Sequence, residues 1–309
     1  MIQILIAEVF GHLAICNTFS LLCAINHGMS VRIADLPLKC ERRNIREVTL
    51  KLCECGKEGS EPALVFLHGM PGQISNWKYQ LSHFCNKYRC VVYDQRGYGE
   101  SDKPLRVSLR DYLLDLDEVL KVFGLTPQDV VLIGHSFGAM VAQTYARERE
   151  VKGLVLIGSV LRWHVSMLDR VIAVLPPIFW RKILFTKNPL TVRAYRDMFF
   201  SPKTRKEVFE DFMRDNEEYI SSLPAHVHRY WKFFSDYDAR PWLNDVKART
   251  LIIVGADDKV TPPSWSKEIH KLMPNSELVV IADAGHLILY ERPEIVNKEI
   301  EKFIKSLEG

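Results

Sequence analysis

An α/β fold, built on a doubly wound and mostly parallel sheet with a helical segment inserted late in the chain, is predicted by three features of the 309-residue sequence. Short, continuous Val/Ile/Leu runs alternate with longer amphipathic stretches, the order expected when each strand is followed by a crossover helix. The runs lack polar alternation, as strands covered on both faces do. About ninety residues separate the fifth run from the sixth, many more than one crossover needs.

In chain order the strand-like runs fall at residues 48–53, 63–67, 89–93, 130–133, 153–157, 251–254 and 278–281. Helical stretches fall at 77–85, 108–123, 137–149, 263–272 and 293–307. The core is assigned to residues 45–160 and 241–309, residues 161–240 to a helical lid between its halves, and residues 1–44 to an apolar N-terminal extension.

The most informative segment is Gly134-His135-Ser136-Phe137-Gly138, because Val130-Val131-Leu132-Ile133 feeds into it and a helical stretch leaves it. Glycines on both sides of a Ser let the chain turn sharply from strand to helix and leave the hydroxyl at the carboxyl edge of a sheet. A Ser held there is a candidate nucleophile; the bland alternative is a tight turn with an incidental Ser. Partners lie downstream. One run leads into Gly255-Ala256-Asp257-Asp258-Lys259-Val260-Thr261-Pro262, and the next into Ala284-Gly285-His286. A hydroxyl alone is a poor nucleophile: an imidazole removes its proton near neutral pH, and a carboxylate fixes the imidazole tautomer and stabilises the imidazolium. One of the two adjacent carboxylates must serve.

Acyl transfer also needs backbone N–H donors aimed at the developing oxyanion. The Phe137 amide follows the candidate nucleophile. The glycine-rich turn His68-Gly69-Met70-Pro71-Gly72 offers a second donor in Met70, whereas Pro71 has no N–H to give.

In these residues the chain resembles the α/β-hydrolase superfamily over roughly residues 45–307, including that superfamily's order of Ser, acid and His. Tyr93-Asp94-Gln95-Arg96-Gly97-Tyr98-Gly99-Glu100-Ser101-Asp102 is similar to its D-x-R-G-x-G-x-S segment. Gly285-His286-Leu287-Ile288-Leu289-Tyr290-Glu291-Arg292-Pro293-Glu294 is similar to its histidine block. His68-Gly69-Met70-Pro71, Trp77 and the Gly-Tyr-Gly-Glu-Ser run resemble most the epoxide-hydrolase and haloalkane-dehalogenase branch. That branch uses an Asp nucleophile where this chain has Ser136, which argues against epoxide opening or dehalogenation through an alkyl-enzyme ester. The HG-x-PG loop also occurs in proline iminopeptidases, whose usual nucleophile surroundings differ from Gly-His-Ser-Phe-Gly. In the acid loop that the resemblance implies, the catalytic Asp stands three residues after the strand-ending Gly and four before a Pro. That count selects Asp258 and leaves Asp257 a loop residue.

Lys and Arg number 41 against 38 Asp and Glu, a net charge of +3, so there is no electrostatic case for a nucleic-acid partner. The seven cysteines (Cys16, Cys23, Cys40, Cys53, Cys55, Cys85 and Cys90) are odd in number and scattered. They are read as free thiols of a reducing, cytoplasmic compartment. Cys53-Glu54-Cys55 lacks C-x-x-C spacing, and neither a metal nor a cofactor is expected. Residues 2–25 are apolar but interrupted by Glu8, His12 and Asn17, and no basic residue precedes them as in a secretory signal. Their length approaches the roughly 20 residues that a membrane span needs, and Arg32, Lys39, Arg42, Arg43 and Arg46 follow. Three readings stay open for this run: a membrane anchor with the hydrolase facing the cytoplasm, a helix packed on the core, and an extension with no folded role.

The lid carries 15 of the chain's 32 aromatic residues, so some are expected to line an apolar pocket while most glue the lid to the sheet. Trp163, Phe199 and Trp231 are the substrate-binding candidates. His226 and His228 stand two apart, a spacing that points them away from each other on a helix, and nothing nearby completes a metal site. The predicted activity is hydrolysis of a small or medium apolar carboxylic ester. Ser136 is the nucleophile, His286 the base and then the acid, Asp258 its orienting carboxylate, and the Met70 and Phe137 amides hold the oxyanion. Thioester, amide, carbon–carbon or epoxide hydrolysis on the same fold is the enzymatic alternative, and a ligand-binding or signalling protein the non-enzymatic one. Labelling of Ser136 by a fluorophosphonate separates these last two classes.

Overall fold

Among the described residues, eight strands form one sheet in the order β1-β2-β4-β3-β5-β6-β7-β8. They are β1 Lys39–Ile45, β2 Val48–Cys55, β3 Ala63–Leu67, β4 Cys90–Tyr93, β5 Val130–His135, β6 Gly153–Ile157, β7 Thr250–Gly255 and β8 Ser276–Ile281. Pairing is antiparallel for β1 with β2 and β2 with β4, and parallel for the rest. The computed structural model describes residues 31–163 and 189–308 of the chain. The helices are α1 Lys78–Phe84, α2 Leu109–Val122, α3 Phe137–Glu148, α4 Pro189–Phe199, α5 Lys206–Ser222 and α6 Pro263–Leu272 between strands, and α7 Ile288–Glu291 and α8 Pro293–Leu307 after the last strand.

Period-two alternation within the strands feeds two cores. Val65, Leu67, Leu132, Leu154 and Leu156 face α2 and α3, where Leu116, Val119, Val141 and Tyr145 meet them. Leu64, Phe66, Ile133, Val155 and Ile157 face the opposite side, against Leu81, Phe84, Val296, Ile300 and Phe303 of α1 and α8. Burial on both faces explains why these strands read as unbroken apolar runs.

After β3 the chain steps outward to β4, then returns to the other side of β3 for β5. This reversal opens a crevice at the carboxyl ends of β3 and β5, the place where open α/β sheets bind ligands.

Between β6 and β7, α4, α5 and a 3-10 stretch Val227–Phe234 belong to the inserted segment. Apolar packing by Phe209, Phe212, Tyr230 and Phe234 joins it to the core, and an ion pair reinforces that: the fully buried Lys78 ammonium of α1 lies 2.7 Å from the carboxylates of both Asp211 and Asp215 in α5. Burying a lysine is costly unless it is paired, and two carboxylates supply that pairing.

Two features differ from the sequence reading. β1 lies partly inside residues 1–44, the stretch read as an extension. All but the last of its residues are exposed, so no apolar pattern betrays it, and it is held by backbone pairing to β2. The cysteines are not all free thiols: Cys40 is bonded to Cys53 and Cys55 to Cys85, with Cys90 alone as a buried thiol among the described residues. Cys40 stands opposite Cys53 in the β1/β2 register, a proximity that scattered spacing does not reveal. The inference of a reducing compartment from free thiols loses its basis. The apolar run 2–25, Cys16, Cys23 and the lid aromatics Phe179, Trp180 and Phe185 lie outside the described residues. Among the described residues, no helix is long and apolar enough to cross a membrane.

Candidate active site

Ser136 sits between β5 and α3 with φ 54° and ψ −115°, a backbone region that costs a non-glycine residue on the order of 1–3 kcal/mol. The surroundings enforce it. Its N–H donates to the Ile157 carbonyl on β6 (2.8 Å), and its carbonyl accepts from the Met140 N–H (3.1 Å). A side chain at Gly138 would come within 2.0 Å of the Leu67 carbonyl oxygen on β3, and one at Gly134 within 2.5 Å of the Gly138 carbonyl. Both glycines are therefore required by close backbone approach, and the hydroxyl is left at the mouth of the β3/β5 crevice.

His286 follows β8 and Asp258 follows β7, so both side chains arrive at the same edge of the sheet. His286 Nε2 lies 2.9 Å from Ser136 Oγ, and its Nδ1 lies 2.8 Å from Asp258 Oδ2. Asp258 Oδ1 accepts the N–H groups of Val260 and Thr261, each at 2.8 Å, and Oδ2 also accepts the Thr261 hydroxyl at 2.9 Å. Burial works to raise the Asp258 pKa, but the His286 charge and hydrogen bond, with the Thr261 donors, outweigh it and hold the carboxyl below its ordinary value. A carboxylate beside Nδ1 places the ring proton there and leaves Nε2 free to accept from the serine. Asp257, its neighbour, faces elsewhere and accepts the Ser201 hydroxyl at 2.6 Å.

The His68–Gly72 turn follows β3 and runs beside the serine: a side chain at Gly69 would lie 3.3 Å from Ser136 Cβ. Neither the Met70 nor the Phe137 N–H has a hydrogen-bond acceptor among the described residues. Phe137 N–H is moreover an orphan donor at the start of α3, where the helix dipole favours negative charge.

The three aromatic candidates separate. The Phe199 ring lies 6.0 Å from that of His286. Trp163 is 6.3 Å from Phe234, whose ring in turn lies 5.0 Å from that of Phe137, so it belongs to the packing behind the serine turn. Trp231 has the Lys232 ammonium 5.7 Å from its ring. His226 donates to the Lys103 carbonyl oxygen (2.9 Å), a structural tie.

Two buried imidazoles were not singled out from the sequence. His135 Nε2–H donates to the His286 carbonyl (2.9 Å), fixing the main chain that carries the imidazole next to the serine. Burial, reinforced by repulsion from His286, pushes its pKa down to about 3. His68 donates from Nδ1 to the Gly69 carbonyl (2.8 Å) and accepts the Gln95 N–H at Nε2 (3.0 Å), bracing the turn that carries Met70. The available signal was position: each neighbours a residue already implicated.

Sheet order, serine turn and carboxyl-edge side chains define a class of α/β protein, and the comparisons give it a family. The chain belongs to the family described as alpha/beta hydrolase fold, whose model matches residues 62–293. It is 29% identical to Epoxide hydrolase 3 of Xenopus tropicalis over 273 residues, covering 79% of this chain and 72% of that one. It is 28% identical to the AB hydrolase superfamily protein YisY of Bacillus subtilis over 255 residues, covering 79% and 91%. A thermophilic esterase from Thermogutta terrifontis superposes with a TM-score of 0.73 over 88% of this chain and all of that one, at 24% identity, a likeness of fold. The chain is thus an enzyme of hydrolase type.

Proposed function

We propose that this hydrolase cleaves a small or medium apolar carboxylic ester through an acyl-enzyme intermediate. The observation that carries the proposal is the hydrogen-bonded order Ser136, His286, Asp258 at the β3/β5 crevice. In that reading the Ser136 oxygen attacks the ester carbonyl while its proton passes to His286 Nε2, and Asp258 stabilises the imidazolium. The negative charge on the former carbonyl oxygen is met by the Met70 and Phe137 N–H groups. His286 then gives its proton to the departing alcohol. A water, deprotonated by the same nitrogen, attacks the acyl group, and collapse of that second adduct returns the proton to Ser136 and releases the acid. The inserted segment acts as a lid whose Phe199 closes over His286, which suits an apolar acyl or alcohol group.

Replacing Ser136 by Ala should leave folding intact, abolish fluorophosphonate labelling and lower p-nitrophenyl ester turnover by several orders of magnitude. Retained turnover would remove the assignment. Epoxide or haloalkane conversion at a rate comparable to ester cleavage would show that Ser136 does not exclude the chemistry that an Asp nucleophile performs.

A further inference from the structure

We infer that Glu291 and Ser201 form a positioning clamp that sets the His286 and Asp258 loops relative to each other, making the turn after α4 part of the reactive geometry. This rests on the reading of Ser136 as nucleophile and His286 as base. Glu291 ends α7 and is only 4% exposed. Its Oε2 accepts the N–H of Gly285, adjacent to His286, at 2.8 Å. Its Oε1 accepts the Ser201 N–H at 2.8 Å and also the Thr204 hydroxyl. Ser201 in turn donates its hydroxyl to Asp257, the neighbour of Asp258.

The far side of His286 is tied to the same turn, because the Leu287 N–H donates to the Phe199 carbonyl at 3.1 Å. Backbone contact is close throughout: a side chain at Gly285 would fall 2.7 Å from both Phe200 C and Ser201 N. The turn therefore touches the acid loop through one side chain and brackets the imidazole through main-chain atoms on both sides. Ser136 is bound by none of these contacts. Displacing the turn moves base and acid relative to a stationary nucleophile.

Glutamine at 291 discriminates. It has one acceptor oxygen where the carboxylate uses two, and the Thr204 hydroxyl can rotate to accept whereas the Gly285 and Ser201 N–H groups cannot. One of those backbone donors must then face an NH2, and the turn shifts. Misplacement on the scale of 1 Å costs on the order of 10²-fold in turnover.

The experiment measures kcat, KM and the rate of fluorophosphonate inactivation, each normalised to active sites, for wild type, Glu291→Gln, Ser201→Ala and the control Lys121→Ala. Lys121 pairs with Glu118 on the exposed face of α2, away from the turn. The expected result is a kcat and inactivation rate lowered on the order of 10²-fold in Glu291→Gln and about tenfold in Ser201→Ala, with KM within about twofold and the control unchanged. Unchanged kcat in folded Ser201→Ala and Glu291→Gln, or a rise in KM alone, overturns the clamp while leaving Ser136 in place. If Glu291→Gln does not fold, Ser201→Ala alone decides. Wild type that is not labelled at all overturns the reading of Ser136 and the clamp with it.

Discussion

Replacing Asp258 by Asn probes the atom that sets the imidazole tautomer. Two backbone N–H groups, each at 2.8 Å, point at Asp258 Oδ1, so the Asn carbonyl oxygen must occupy that position, since an NH2 there would set donor against donor. The NH2 then takes the Oδ2 position, 2.8 Å from His286 Nδ1. Nδ1 must accept, and the ring proton moves to Nε2. That nitrogen faces Ser136 Oγ at 2.9 Å and can no longer take its proton. Inversion of the tautomer costs about 10⁴ in turnover, or ~5.4 kcal/mol of transition-state stabilisation. Asn at 257 is different: the Ser201 hydroxyl that donates to Asp257 finds an equivalent carbonyl oxygen, so the loss should be about tenfold or less. Turnover of one activated ester by both variants, with equal thermal midpoints, measures the contrast. Equal losses would refute the reasoning, and a larger loss at 257 would move the acid to Asp257.

Two further outcomes follow from buried groups. His68 and His135 are held down to about 4 and about 3, in both cases first by burial, against an ordinary value of 6.5. The unfolded chain therefore takes up both protons before the folded one. Their contribution to stability is fully present above pH 6.5 and is lost as pH drops toward about 4, by roughly 3 kcal/mol per pH unit for the two groups together, partly offset by the buried Asp94, whose pKa is raised to about 6. Urea midpoints at pH 7, 6 and 5 measure the net slope, and His135→Gln, which keeps a donor for the His286 carbonyl, should make the loss toward low pH shallower than in wild type; an unchanged slope in that variant contradicts the assignment. Removing the bond between Cys55 and Cys85, which stand 30 residues apart, as the double Ser variant should cost on the order of 3–4 kcal/mol by relaxing the unfolded chain. Chemical denaturation of oxidised wild type against the variant reads it, and equal midpoints would count against the bond.

Much of the fold was legible because its strands are covered on both faces and so carry unbroken apolar runs, as β3, β5 and β6 do. β1 was not: Lys39 to Asn44 face solvent, and a strand held by backbone pairing leaves no periodic mark on its side chains. The serine turn was legible because its signal is contiguous in the chain, an apolar run followed by Ser136 flanked by Gly134 and Gly138, although the close approach of β3 that requires Gly138 shows only in the structure. The choice of Asp258 over Asp257 needed the resemblance to a known acid loop. The structure supplies a physical basis, with one carboxylate facing His286 and the other Ser201.

By itself, then, the sequence determined what adjacent residues settle among themselves: where strands run, where the chain must turn, and which turn exposes a hydroxyl. The tertiary structure alone decided which polar atoms face one another, because that depends on how the crossovers return each strand to the sheet. Ser136 and His286 meet across 150 residues of chain, and Ser201 and Glu291 across 90. No local periodicity encodes either distance. Burying such groups is tolerable only when each donor finds its acceptor, so the contacts invisible in the sequence are the ones on which the geometry of the site depends.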